Sequence, residues 1–225
     1  MADSDSERYS RQQLFWGEET QRLIQEGSLL IAGLGGLGAT VSQIMARAGI
    51  ARLHLVDDGE VAWTDLHRQS LYGECDVGMK KVEVSRERLK SINSKMEIII
   101  HDTRIDIGFS IPDDIDVVVD CLDNFPSRFF LYQAVPPGSF FVHGGVQGDQ
   151  GQVLTLIKGV SRPLEEIMAG SRQPAGTIPV TPDSVFVIAG LMANELLHYL
   201  AGSPKLLDRF LVVDLAGFNF SFLEV

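Results

Sequence analysis

Ser28 to Gly38 read SLLIAGLGGLG. The apolar run Leu29 to Ala32 enters Gly33-Leu34-Gly35-Gly36-Leu37-Gly38, a G-x-G-x-x-G placed where a buried strand must turn into a helix. Gly33 can take backbone angles closed to other residues, Gly35 leaves the main chain open to a phosphate, and Gly38 lets the new helix lie close on the sheet. The unpaired N–H groups of that helix favour an anion. Taken alone, the pattern also suits a strand-to-helix turn with no ligand. A second apolar run, Leu53 to Val56, ends in Asp57, and a carboxylate after the second strand, about twenty residues on, suits a ribose hydroxyl. The two features together indicate a nucleotide without saying which.

Outward from this turn, the pattern predicts an α/β fold: a Rossmann-like doubly wound sheet whose parallel N-terminal half is extended by antiparallel strands. Residues 1–27 read as a helical arm ending at Gly27 after an initial MADSDSE too polar to order. Ala39 to Ala48 read as the first helix, with Gly49 as a left-handed cap. Asp57 to Gly73 has no clear period, and a long irregular piece at the carboxyl ends of strands is where such a sheet keeps its ligand. Val77 to Asn93 is read as an amphipathic helix, with Lys80 and Lys81 at its start, a poor place for structural cations and a good one for phosphate-binding ones. Met96 to His101 and Asp116 to Cys121 are the next strands. Asp123 follows the second of these, either as the N-cap of a helix from Pro126 to Val135 or as a carboxylate of the ligand edge. Ser139 to Val146 and Gln152 to Ile157 form a hairpin around GDQG. Gly159 to Pro182 is a crossing loop punctuated by Gly170, Pro174, Gly176, Pro179 and Pro182. Asp183 or Ser184 caps a long helix to Ala201, and Phe210 to Val213 and the alternating Phe218, Phe220 and Phe222 are the final strands.

At 225 residues the chain fits one domain, 1–225, and its formal charge of −11 disfavours nonspecific binding to nucleic acid or an anionic membrane. The longest apolar run, Val185 to Ala193, is too short to span a bilayer. Cys75 and Cys121 show no pairing pattern and no secretory signal precedes them, so the expected compartment is the reducing cytoplasm. Cys121 reads as core. The charged residues at successive strand ends are Asp57, Asp65, Arg68, Lys81 and Asp123, with Arg11 in the arm, where it could equally be a solvated charge. Cations facing triphosphate oxygens and a carboxylate able to hold Mg²⁺ suit nucleotidyl transfer. Hydride transfer would need a dinucleotide cleft with an acid-base His, and the five His suggest no such placement.

YSRQ at 9–12, GLGGLG at 33–38, LVDDGEV at 55–61, DLHRQ at 65–69, VGMKKVE at 77–83, DCLDN at 120–124 and Arg128 resemble the MoeB/ThiF/HesA family, relatives of the adenylation domain of ubiquitin-activating enzymes. The resemblance runs from Arg8 to the final strand. It implies that Gly33, Gly35, Gly36, Gly38 and Leu122 surround ATP, that Asp57 holds the ribose, and that Arg68 and Lys81 contact phosphates. It further implies that Asp123 positions Mg²⁺ and that Arg11 reaches the triphosphate of the neighbouring subunit in a homodimer, so Arg11, Arg68, Lys81 and Asp123 are the expected catalytic set. The implied reaction joins AMP to the C-terminal carboxylate of a small ubiquitin-like sulfur carrier of the ThiS/MoaD type ending in Gly-Gly, releasing pyrophosphate. Adenylation of another peptide or of a tRNA, and a non-catalytic nucleotide-binding scaffold, are the alternatives.

Three departures from the family pattern stand out. Asp65 sits where the family usually has Asn, which puts a carboxylate beside the phosphates unless it turns to the ribose, a cation or a metal. The two C-x-x-C pairs that hold structural zinc in many relatives are missing, so no zinc is expected. In TIPVT at 177–181, Thr181 stands nearest the place of the crossing-loop cysteine, and a hydroxyl lacks thiolate reactivity.

Overall fold

The computed structural model describes residues 7–172 and 176–225; the MADSDS start and Pro174 lie outside them. The elements in chain order are α1 (Ser10–Glu26), β1 (Ser28–Ala32), α2 (Gly36–Ala48), β2 (Arg52–Val56), α3 (Lys81–Ile92), β3 (Glu97–His101), β4 (Val117–Asp120), α4 (Phe125–Ala134), β5 (Phe140–Gln147), β6 (Gln150–Ile157), α5 (Leu164–Ile167), α6 (Pro182–Leu200), β7 (Arg209–Asp214) and β8 (Asn219–Glu224). The strands form one sheet in the order β3-β2-β1-β4-β5-β6-β7-β8. Neighbours from β3 to β5 run parallel, and β6, β7 and β8 extend the sheet antiparallel. After β3 the chain returns to the far side of β1 to lay down β4. The strand order therefore reverses between β1 and β4, and a crevice opens at their carboxyl ends.

Alternation along each strand builds two cores. Leu29, Ile31, Leu53, Leu55, Val117 and Val119 face one way, under α2, α3 and α6. Leu30, Ala32, Val56 and Val118 face the other, with Leu131 and Tyr132 of α4 and Leu164 of α5. Both faces of the central parallel strands β1 and β4 are thus covered, which is why they read as nearly unbroken apolar runs. Each such side chain contributes roughly 1.5–3 kcal/mol of burial.

Several boundaries differ from the sequence reading, each for a local reason. Helix α2 starts at Gly36, with Gly35 as N-cap, and ends as expected at Gly49, whose φ is +100. Helix α3 starts only at Lys81, because Gly78 turns the chain at φ +86 and Lys80 is extended. Asn124, not Asp123, caps α4: its side chain accepts the Ser127 N–H at 3.0 Å. Thr181 is the N-cap residue of α6, with Pro182 in its first turn, so Asp183 and Ser184 lie inside the helix. The β5–β6 strands run on to Gln147 and Gln150, leaving a turn of Gly148 and Asp149.

The arm docks by one face. Helix α1 breaks at Gly17, where φ is 84 and ψ is 164. The side-chain amides of Gln12 and Gln21 donate to Ala48 O at 3.1 and 2.9 Å, satisfying a carbonyl at the end of α2. The Tyr9 ring covers Gly49 so closely that a Cβ there would lie 2.7 Å from it. On the other face, Leu14 is 88% and Phe15 77% exposed. Among the described residues no helix is long and apolar enough to cross a membrane.

Candidate functional site

A cleft of about 770 Å³ lies at the carboxyl ends of β1, β2 and β4. Its floor is the glycine turn. Gly33 has φ +89, and a Cβ on it would meet Cys121 O at 2.8 Å, so the close approach of β4 and the backbone angle both demand glycine. At Gly38 a Cβ would stand 1.8 Å from Gly33 O. The third glycine is therefore required by the loop's own carbonyl more than by the fit of helix on sheet, and it does not line the cleft as Gly33, Gly35 and Gly36 do. Asp57 clamps the turn: its carboxylate accepts Leu34 N–H at 2.7 Å and Gly59 N–H at 2.8 Å.

One end of the cleft is built by the irregular segment after β2. A 3-10 turn, Trp63–Asp65, delivers Asp65, which is 7% exposed. Asp65 Oδ2 accepts Ala62 N–H at 3.1 Å and lies 3.3 Å from Lys81 Nζ. Oδ1 accepts from Gln69 Nε2 at 2.7 Å and lies 3.6 Å from Arg68. The carboxylate that departs from the family pattern is turned to both Arg68 and Lys81. Lys80 takes no part, since its ammonium donates to Asp58 O at 3.1 Å and Asp102 at 3.2 Å.

The other end carries Leu122 and Asp123 on the loop after β4, with Arg128 one turn into α4. Behind them lies a buried network. Asp120 Oδ2 accepts from His143 Nδ1 at 2.7 Å, Asp120 Oδ1 accepts Leu122 N–H at 3.0 Å, and Gln152 Nε2 donates to His143 Nε2 at 3.0 Å. Arg128 donates to Leu122 O and, at 3.1 Å, to Gly144 O, and lies 3.5 Å from Asp120. Burial works against an ionised Asp120, but Arg128, His143 and the Leu122 amide outweigh it and hold the carboxyl below the usual range. Burial, then Arg128, pushes His143 down, so its imidazole is neutral. Burial, then the Asp120 charge, pushes the Cys121 thiol up, consistent with a core residue.

Of the residues singled out in the sequence, Gly33, Gly35, Gly36, Asp57, Asp65, Arg68, Lys81, Leu122 and Asp123 line this one cleft. Arg11, exposed on α1, does not. Thr181 Oγ1 lies 3.1 Å from Ser184 Oγ at the start of α6. Gln69, Arg104 and Arg128 are among the lining residues to which the sequence reading gave no role. Arg128 carried a signal, one turn past DCLDN; Arg104, in the loop after β3, carried none. With Asp57, Asp58, Asp65 and Asp123 against Arg68, Lys81, Arg104 and Arg128, carboxylates and cations in the lining are equal in number.

Fold and cleft define a Rossmann-like α/β domain whose ligand edge combines a glycine turn with paired cations. The chain belongs to the ThiF family, which matches residues 9–225. It is 33% identical over 219 residues to the "Adenylyltransferase and sulfurtransferase MOCS3" of Aedes aegypti, an alignment covering 92% of this chain and 50% of that protein. It is 32% identical over 235 residues to the "Sulfur carrier protein adenylyltransferase" of Thermus thermophilus, covering 97% of this chain and 87% of that one. A solved structure of E. coli MccB with MccA-N7isoASN shares the fold at a TM-score of 0.85 and 21% identity, over 96% of this chain and 71% of that one. The chain spans about half the length of the MOCS3 relatives it matches.

Proposed function

We propose that this chain adenylates the C-terminal glycine carboxylate of a small ubiquitin-like sulfur carrier, of the ThiS/MoaD type and ending in Gly-Gly, at the expense of ATP. One observation carries the reading: Arg68 and Lys81 meet beside an open glycine turn, on a cleft that Asp57 and Asp123 also line. An ionised carboxylate is already a nucleophile, so the reaction needs no general base. Its oxygen bonds to the α-phosphorus while the bond to the leaving pyrophosphate breaks, and the cations offset charge on the phosphate oxygens. The glycine turn receives the phosphates and Asp57 the ribose. Mg²⁺ is commonly held by one or two carboxylates together with phosphate oxygens, and Asp123, lining the cleft near the turn, fits that donor set. When bound, the ion neutralises phosphate charge.

In this reading the whole described site belongs to one adenylation domain. The exposed Leu14 and Phe15 support packing of α1 against a second copy, which would bring Arg11 to the partner's triphosphate. Both cysteines are free, in keeping with a cytoplasmic setting.

The expected result is ATP–pyrophosphate exchange only when a carrier with an intact Gly-Gly end is added. Exchange indifferent to removal of those glycines would instead support another peptide or tRNA substrate, and no exchange with any carrier, despite ATP binding, a scaffold. Arg11→Ala and Asp123→Ala chains, each nearly inactive, should recover about a quarter of full activity on subunit exchange, because one site of each mixed dimer carries neither defect. Exchange of subunits without recovery would confine Arg11 to its own chain.

A further inference from the structure

Asp65 is nearly buried, yet its environment is not that of a simple turn residue. Ala62 N–H satisfies one oxygen, as a short turn requires, and Gln69 Nε2 the other. What remains is electrostatic: Lys81 Nζ at 3.3 Å and Arg68 at 3.6 Å, on opposite oxygens of the same carboxylate. Arg68 is also tied to the backbone and passes over the glycine turn, and the Lys81 stem passes Gly59. Arg68 donates to Thr64 O at 2.7 Å, and its Cγ lies 3.6 Å from where a Gly36 Cβ would stand. The Lys81 stem lies 3.7 Å from the corresponding position at Gly59.

We propose that Asp65 is an internal counter-ion for Arg68 and Lys81, holding both in place until a ligand binds and competing with the ligand's phosphates for them. It is a positioning residue that sets nucleotide affinity, and this role rests on the reading of the cleft as the ATP site. The separations decide its character. At 3.3 and 3.6 Å the pairs are longer than tight charge-assisted hydrogen bonds of about 2.7–2.9 Å, so the cations can turn to phosphate oxygens without stripping Asp65, which keeps its bonds to Ala62 and Gln69. The carboxylate also cancels one positive charge in a lining where cations and carboxylates balance. An amide of the same shape would leave that lining one unit positive and keep an acceptor for Ala62 N–H.

The test is equilibrium binding of ATP and of inorganic tripolyphosphate to the intact chain and to Asp65→Asn, each with Mg²⁺ and with EDTA, at low and high salt. The expected result is tighter binding by Asp65→Asn, by about tenfold at low salt for the metal-free ligands, less with Mg²⁺ and less again at high salt. A role confined to the turn would leave the ratio independent of salt, and that outcome overturns the proposal. So does a loss of affinity seen only with Mg²⁺, which would make Asp65 a metal ligand. Should Asp65→Asn fail to fold, Asp65→Ser keeps a short oxygen for the Ala62 amide and must show the same gain. Tripolyphosphate response without ATP binding would sink the adenylation reading and leave the counter-ion standing; ATP binding unchanged by either variant would do the reverse. No binding of either ligand by any form removes both.

Discussion

The two ends of the cleft both pair arginine with aspartate, and they do so in opposite ways. At the β4 end, Arg128 is held by two backbone carbonyls and sits 3.5 Å from Asp120, whose oxygens are also claimed by His143 and Leu122. At the other end, Arg68 and Lys81 reach a common carboxylate at 3.6 and 3.3 Å, and Arg68 also donates to one backbone carbonyl, Thr64 O. Asp120 is fully buried, whereas the side chains of Lys81 and Arg68 keep 13% and 24% exposure. A group fixed by many short bonds cannot change partners when a ligand arrives; one held loosely by charge can. The β4 end thus serves as the rigid wall that places Leu122 and Asp123, and the Asp65 end as the adaptable surface, which under the proposed function meets phosphate.

The comparison breaks first at Asp120. Asp120→Ala takes the buried carboxylate away from the buried His143 and the partly buried Arg128, and should lower the unfolding free energy by about 3–5 kcal/mol in urea titration. A loss below about 1 kcal/mol would show that the wall is held by packing alone.

The next effect separates stability from chemistry. Lys81→Met should cost only about 1–2 kcal/mol of stability, since Asp65 retains Ala62, Gln69 and Arg68 as partners. Under the proposed function it should slow ATP–pyrophosphate exchange by about 10²–10³-fold. A variant as unstable as Asp120→Ala would erase the distinction between the two ends.

The smallest effect sharpens the picture of the wall. Because His143 is held below its ordinary pKa of 6.5, the unfolded chain binds more protons than the folded one just beneath that pH. The stability it confers is full above pH 6.5 and is lost as pH falls toward the lowered folded value, at no more than about 1.4 kcal/mol per pH unit. His54 and His101, both lowered mainly by burial, act with the same sign, so His143→Gln should flatten part of the slope. Asp120, also lowered, contributes only at the acid end, its stabilisation full above pH 3.8 and lost as pH falls toward the lowered folded value. An unchanged profile between pH 5 and pH 7 in His143→Gln would mean that the imidazole is not buried neutral.

What the sequence by itself determined is what short-range rules encode. The run into Gly33-Leu34-Gly35-Gly36-Leu37-Gly38, the left-handed Gly49 and the mainly apolar strands follow from backbone angles and side-chain periodicity within a few residues. From these came the doubly wound sheet and the edge at which nine named residues gather. Tertiary structure alone decided the partners. The turning of Asp65 toward Lys81 could not be read from spacing, because it depends on where the side chain points once α3 arrives beside it. The Asp120–His143 pair exists because β4 and β5 lie side by side in a register that sets those two residues opposite each other. No periodicity within a strand specifies which strand will be its neighbour; that follows from closing the whole sheet over two cores at once.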